Sequence, residues 1–181
     1  MVVNNISIPN ELLPADGRFG SGPSLVRKSD LDALADLSES YMGTSHRQSP
    51  VKNMVGRLRD GLSELFGLPD DWEIILGNGG STLFWDAATF SLISEKSHHL
   101  VFGEFSSKFA TASRAAPHIG EPVVAEFEPG TGPLIEASGA DTYAFTHNET
   151  STGVSLVLHW PAYSSPVEAI VLVDATCAAG G

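Results

Sequence analysis

What this sequence lacks narrows it first. One of its 181 residues is cysteine, Cys177, so no internal disulfide can form and a reducing compartment, the cytoplasm, is expected. Positive charge is scarce: 10 basic residues stand against 22 acidic ones, a formal net charge of −12. A surface of that sign argues against nucleic acid and anionic membrane as partners, because both are bound through basic patches. It still allows a local pocket for an anion. No apolar run approaches the ~20 residues of a membrane-spanning helix. Residues 1–14 have neither a basic start nor an apolar core, so no signal peptide is expected. Internal repeats, low-complexity tracts and linkers are also missing.

What is present is ordinary globular material, 42% hydrophobic and long enough for a real core. Its organising stretch is Glu73 to Leu83. Ile74, Ile75 and Leu76 have the look of a strand buried on both faces, and Gly77, Gly79 and Gly80 break it. Ser81 is a good N-cap, and Leu83, Phe84, Ala87, Ala88 and Phe90 follow at near-helical spacing. A strand, a glycine turn and a helix start bring free N–H groups together, which suits a phosphate as well as it suits an ordinary tight turn. The pattern is neither G-x-G-x-x-G nor a P-loop.

The rest of the chain alternates. Residues 1–23 read as extended or irregular, with a glycine-proline turn at Phe19 to Ser24. Ser29 to Asp32 has the spacing of a capping box for a short helix along Leu31, Leu34 and Leu37. His46 and Arg47 sit in the loop that follows, an anion-friendly pair that is as readily a solvated surface pair. Ser49 as N-cap and Pro50 as N1 open a second helix, whose stripe of Val51, Met54, Val55, Leu58, Leu62 and Leu65 is expected to be core. Gly67 and Pro69 close it. Strands are expected over 99–105, 123–127, 141–146, 155–159 and 170–173, and a small-residue helix over 107–116.

This pattern predicts an α/β fold, a mostly parallel sheet with flanking helices. Ligands in such sheets bind beyond the carboxyl ends of the strands. Gly79 to Thr82, Phe105, Thr150 and Asp174 all fall at such ends. Asp174, directly after four apolar residues, needs a partner for its charge and reads as a functional acid in preference to a simple cap.

Together, Phe19-Gly-Ser-Gly-Pro-Ser, Ser45-His-Arg, Gly77-Asn-Gly-Gly-Ser-Thr, Asn148-Glu-Thr and Val173-Asp-Ala-Thr make the chain resemble the phosphoserine aminotransferases. These are homodimeric pyridoxal 5'-phosphate enzymes of fold type I. The resemblance implies that 18–181 is part of their large domain, preceded by an extended segment over 1–17. It implies that Ser81, Thr82 and Thr176 hold the cofactor phosphate, Phe105 stacks on the ring, Thr150 bonds near the ring hydroxyl and Asp174 pairs with the ring nitrogen. His46 and Arg47 would help bind the substrate's acidic group, across a dimer interface. The implied reaction exchanges an amino group between phosphoserine and 2-oxoglutarate, giving 3-phosphooxypyruvate and glutamate, in serine and also pyridoxine biosynthesis. Many members carry Arg where Thr82 stands and Trp where Phe105 stands.

The family's Schiff-base lysine lies on a turn beyond the strand-end aspartate. None of Lys28, Lys52, Lys96 and Lys108 stands in the matching motif. The chain is therefore expected to be the N-terminal part of such an enzyme, inactive alone. Two other readings stay open: another fold-type-I aminotransferase, or a non-catalytic ligand-binding domain.

Overall fold

The computed structural model describes residues 7–17, 25–134, 136–159 and 169–179. The expected turn at Phe19 to Ser24 lies outside them. The chain divides into two compact units, residues 1–74 and 75–181.

In the first unit a 3-10 turn, Asn10–Leu12, precedes helices α1, Lys28–Asp36, and α2, Ser49–Phe66. Both helices start earlier than their side chains suggested. Arg27 takes the N-cap of α1 in place of Ser29, whose capping box does not form, and Arg27 and Lys28 pair instead with Asp30 and Asp32. Gln48 caps α2, leaving Ser49 inside the helix. Gly67 ends α2 in the left-handed region at φ 57°, as its position after Phe66 predicts. The stripe of α2 is not core: Met54, Val55, Leu58 and Leu65 are all exposed. Two helices with no strand beside them, among the described residues, offer that stripe too little surface to pack on.

Ile74 to Leu76 form no strand, and Ile75 is 84% exposed. A strand exists only through a neighbour's hydrogen bonds, and no described strand lies alongside this run.

The second unit opens with α3, Ser81–Ala87, which continues as a π-helical turn, Ala88–Leu92. Gly80, at φ 104°, is its N-cap and Ser81 its first helical residue, so Ser81 is not the cap. The buried face of this segment is Trp85, Ala88 and Thr89, while Leu83 and Phe90 are exposed. Next come β1, Ser97–Val101; α4, Glu104–Ala115; β2, Val123–Glu126; β3, Thr142–Thr146; β4, Asn148–Glu149; β5, Val154–Ser155; and β6, Ile170–Asp174. Phe105 belongs to the first turn of α4 and does not end a strand. The strand expected over 155–159 shrinks to β5, which pairs antiparallel with β4.

The main sheet has the order β2-β1-β3-β6, every pair parallel. Alternation along the strands sorts the core onto two faces. Tyr143 and Phe145 join Leu100, Phe102 and Leu156 on one. Ala144 and Leu172 join Trp85, Ala88 and Phe109 of the α3–α4 layer on the other. β1 runs on to β2 on one side, and β3 lies on its other side. The strand order therefore reverses between β1 and β3, and the crevice beyond their carboxyl ends is the place where such sheets take ligands.

Candidate active site

That crevice holds a cavity of about 100 Å³ lined by Ser81, Phe105, Thr146, Asn148, Thr150, Asp174, Thr176 and Cys177. Five of the residues singled out in the sequence, Ser81, Phe105, Thr150, Asp174 and Thr176, meet there. Thr82 is exposed in the first turn of α3 and does not line the cavity. His46 and Arg47 are exposed on a turn of the first unit. Larger hollows on the second unit, about 640 Å³ at Glu126 to Pro133 and about 490 Å³ beside Gly103 and Glu126, are open surface turns.

Asp174 organises the cavity. It closes β6 opposite Thr146 of β3, so both side chains project from the face that carries Ala144, Leu172 and the helices. Although 95% buried, its carboxylate is fully engaged. Oδ2 accepts from the indole Nε1 of Trp85 at 2.9 Å. Oδ1 accepts from the backbone N–H of Thr176 at 3.1 Å and from its hydroxyl at 2.7 Å. Three donors, and no cation among the described residues, surround this carboxylate at the cavity wall, which suits a protonated nitrogen on a ligand.

Beside it, Thr146 Oγ1 is buried without a hydrogen-bond partner. Buried hydroxyls are normally paired; Thr89 and Ser113 carry unpaired ones too, but that of Thr146 lies at the cavity wall, where a ligand's polar atom can reach it. The half-buried ring of Phe105 packs against the Trp85–Phe109 cluster and carries the Lys108 ammonium 5.5 Å from its centroid. A flat aromatic wall, a fixed carboxylate and several hydroxyls suit a planar ligand that carries a protonated nitrogen and other polar groups.

Three residues escape a reading of the sequence. Trp85 looks like core, and only its contact with Asp174, 89 residues away, shows a second use. Thr146 reads as strand. Glu149 reads as part of a loop, yet it is wholly buried and bonded to four donors. Burial would raise its pKa, but the amide and hydroxyl of Ser106, the hydroxyl of Ser151 and the amide of Phe105 outweigh that and hold it below the usual value.

No model of a known protein family matches the chain. A phosphoserine aminotransferase of Nocardioides sp. is 56% identical over 177 residues, 97% of this chain and 47% of its own length. The crystal structure of a phosphoserine aminotransferase from Cytophaga hutchinsonii superposes with a TM-score of 0.67 at 26% identity, over 81% of this chain and 42% of that one. The pyridoxal-phosphate-bound enzyme of Trichomonas vaginalis gives 0.68 at 20% identity, over 86% and 49%, and shares the fold. The chain thus spans about half the length of the relatives it matches. The parallel sheet, the cleft at its switch point and this likeness over 97% of its residues make the chain similar to about half of a phosphoserine aminotransferase.

Proposed function

We propose that residues 18–181 are part of the large domain of a pyridoxal 5'-phosphate-dependent phosphoserine transaminase, and that the cavity at Asp174 receives the cofactor ring. The observation that carries this is a buried, triply hydrogen-bonded carboxylate facing an aromatic wall at the switch point of a parallel sheet. When bound, the cofactor supplies an electron sink for the carbon bearing the substrate's amino group. The chain's own part is to hold and tune it. Asp174 would keep the ring nitrogen protonated, and Trp85 and Thr176 fix that carboxylate in place. Phe105 would cover one ring face and exclude water from it. Thr150 would bond near the ring hydroxyl, while Ser81, Thr82 and Thr176 would hold the phosphate. His46 and Arg47 would meet the acidic group of the substrate, phosphoserine or glutamate, across a homodimer interface. None of Lys28, Lys52, Lys96 and Lys108 lines the cavity, so the chain alone is expected to bind cofactor without transaminating. No helix among the described residues is long and apolar enough to cross a membrane; cytoplasmic location and a role in serine biosynthesis belong to the same reading.

The test uses pyridoxamine 5'-phosphate, which has the cofactor's ring and phosphate but no aldehyde to react with surface lysines. Calorimetric titration of the chain should give one saturable site. Asp174→Asn should weaken it at least about tenfold, or ~1.4 kcal/mol, with the far-ultraviolet spectrum unchanged. No saturable binding, or equal binding by the variant, would overturn the reading.

A further inference from the structure

We propose that Glu149 is a positioning residue, a buried anionic clamp that sets Phe105 and Thr150 at their places on the cavity wall. The inference rests on the cofactor reading above and adds a residue to it. Glu149 is covalently next to Thr150, and it accepts the backbone N–H of Phe105 itself at 3.2 Å through Oε1. Oε2 accepts the N–H of Ser106 at 2.8 Å and its hydroxyl at 2.7 Å, and Oε1 also accepts the Ser151 hydroxyl at 2.7 Å. Both hydroxyls relay further amides to the same carboxylate. Ser151 Oγ accepts from Glu104 N–H at 2.9 Å, and Ser106 Oγ accepts from Gly103 N–H at 3.1 Å. The whole start of α4 is thereby tied to the β4 turn. A helix start is where an anion is most stable, and here the anion belongs to the protein.

Positioning by a carboxylate makes a specific demand. Four of the bonds converge on two oxygens that only accept, so an amide in place of one oxygen would turn a donor toward donors. Gly103 fits the same design: a methyl there would collide with Cγ and Cδ of Glu149, and would stand 2.7 Å from Ser151 Oγ. The space at that point is taken by the clamp. The separation of Phe105 from Thr150, and hence the width of the slot between ring face and hydroxyl, is set through one side chain.

The experiment compares the chain with its Glu149→Gln and Leu100→Val variants. Leu100 lies in the core cluster on the other face of the sheet, so its variant reports what loss of stability alone does. Three quantities are read: affinity for pyridoxamine 5'-phosphate, the induced circular dichroism of the bound ring at saturation, and amide exchange at Phe105 and Ser106 without ligand. Glu149→Gln should bind about tenfold more weakly, lose most of the induced band at saturation and exchange those amides faster. Leu100→Val should lower the melting temperature and leave affinity and band unchanged. An unchanged band and affinity in Glu149→Gln would overturn the clamp. If the parent chain takes up no probe, the cofactor reading fails instead. The clamp then stands or falls on exchange, with equal rates overturning it and faster rates in Glu149→Gln alone supporting it.

Discussion

Trp85 and Asp174 meet in a buried hydrogen bond of 2.9 Å, the indole Nε1–H donating to carboxylate Oδ2. The same indole stacks at 6.0 Å on Phe109, so core packing and the orientation of the acid are one event. Trp85→Phe keeps an aromatic ring against Phe109 but removes the donor to a buried charge. A loss of roughly 1–3 kcal/mol is expected in urea denaturation followed by far-ultraviolet dichroism. A variant as stable as the parent would show that water replaces the indole without cost.

Thr146 predicts the opposite pairing of effects. Its buried hydroxyl has no partner among the described residues. Thr146→Val keeps the branched shape and removes an unsatisfied polar atom, so stability should hold or rise by about 1 kcal/mol. Binding of pyridoxamine 5'-phosphate should weaken at the same time. A variant that loses stability and keeps affinity would mean that the hydroxyl serves the fold and not a ligand.

Gly103 is extended, at φ 176°, so its lack of a side chain answers to crowding and not to backbone strain. Gly103→Ala drives a methyl into the Glu149 carboxylate and should cost about 1–3 kcal/mol, as overpacking does elsewhere. Glu149→Ala on top of it should recover part of that loss, because the colliding atoms are gone. Additive losses in the double variant would argue against the contact.

His99 makes stability depend on pH. Burial, then the charges of His98 and Arg114, push its pKa down from 6.5 to about 3. Between those values the unfolded chain binds a proton that the folded chain does not, so stability falls as pH drops below about 6.5. By about pH 5 the loss from this residue is about 2 kcal/mol. His98, also lowered by burial, adds in the same direction, while Glu149 adds its loss only below its ordinary value of 4.5. His99→Gln should shrink the difference between urea stabilities at about pH 7.5 and about pH 5 by roughly that amount. An unchanged difference would assign the acid sensitivity elsewhere.

Ile75 is 84% exposed and contributes to no core cluster. Ile75→Ser should change stability by no more than about 0.5 kcal/mol. It should reduce self-association, measured by sedimentation at rising concentration, if this exposed run is sticky. A large loss of stability would show that the run is packed in solution.

The legible parts of this protein were those whose signal is local. Ile170 to Val173 announces a parallel strand by being apolar without alternation, although Ile170 is exposed and only Leu172 of the four is buried, and Asp174 stands out because a charge there has a cost. Gly67 after a helical stripe marks a helix end. The illegible parts depend on what lies opposite. Ile74 to Leu76 have the composition of a strand, but composition cannot supply a neighbour. The stripe of α2 has the spacing of a core face, but spacing cannot supply a cover. Ser29, Ser49 and Ser81 each missed the cap by one or two residues, the ordinary uncertainty where several side chains compete for the same end. Trp85 and Thr146 owe their importance to partners elsewhere in the fold, and nothing in their own neighbourhoods announces it; Glu149 sits in the Asn148-Glu-Thr motif, which does not tell what its carboxylate binds.

Among the described residues β6 is bonded to β3 alone, with Thr146 opposite Asp174 as the last rung. Edge strands are the first parts of a sheet to open, in excursions far smaller than global unfolding. An opening of β6 would carry Asp174 away from Trp85 and out of the cavity, so competence for the proposed ligand would be a population as well as a shape. The observed dissociation constant is the intrinsic one divided by the fraction of molecules with β6 docked. Changes along β6 that never touch a ligand, at Ile170 or Val171, will therefore read as weaker binding, and anything that secures the free edge of β6 will read as a better site.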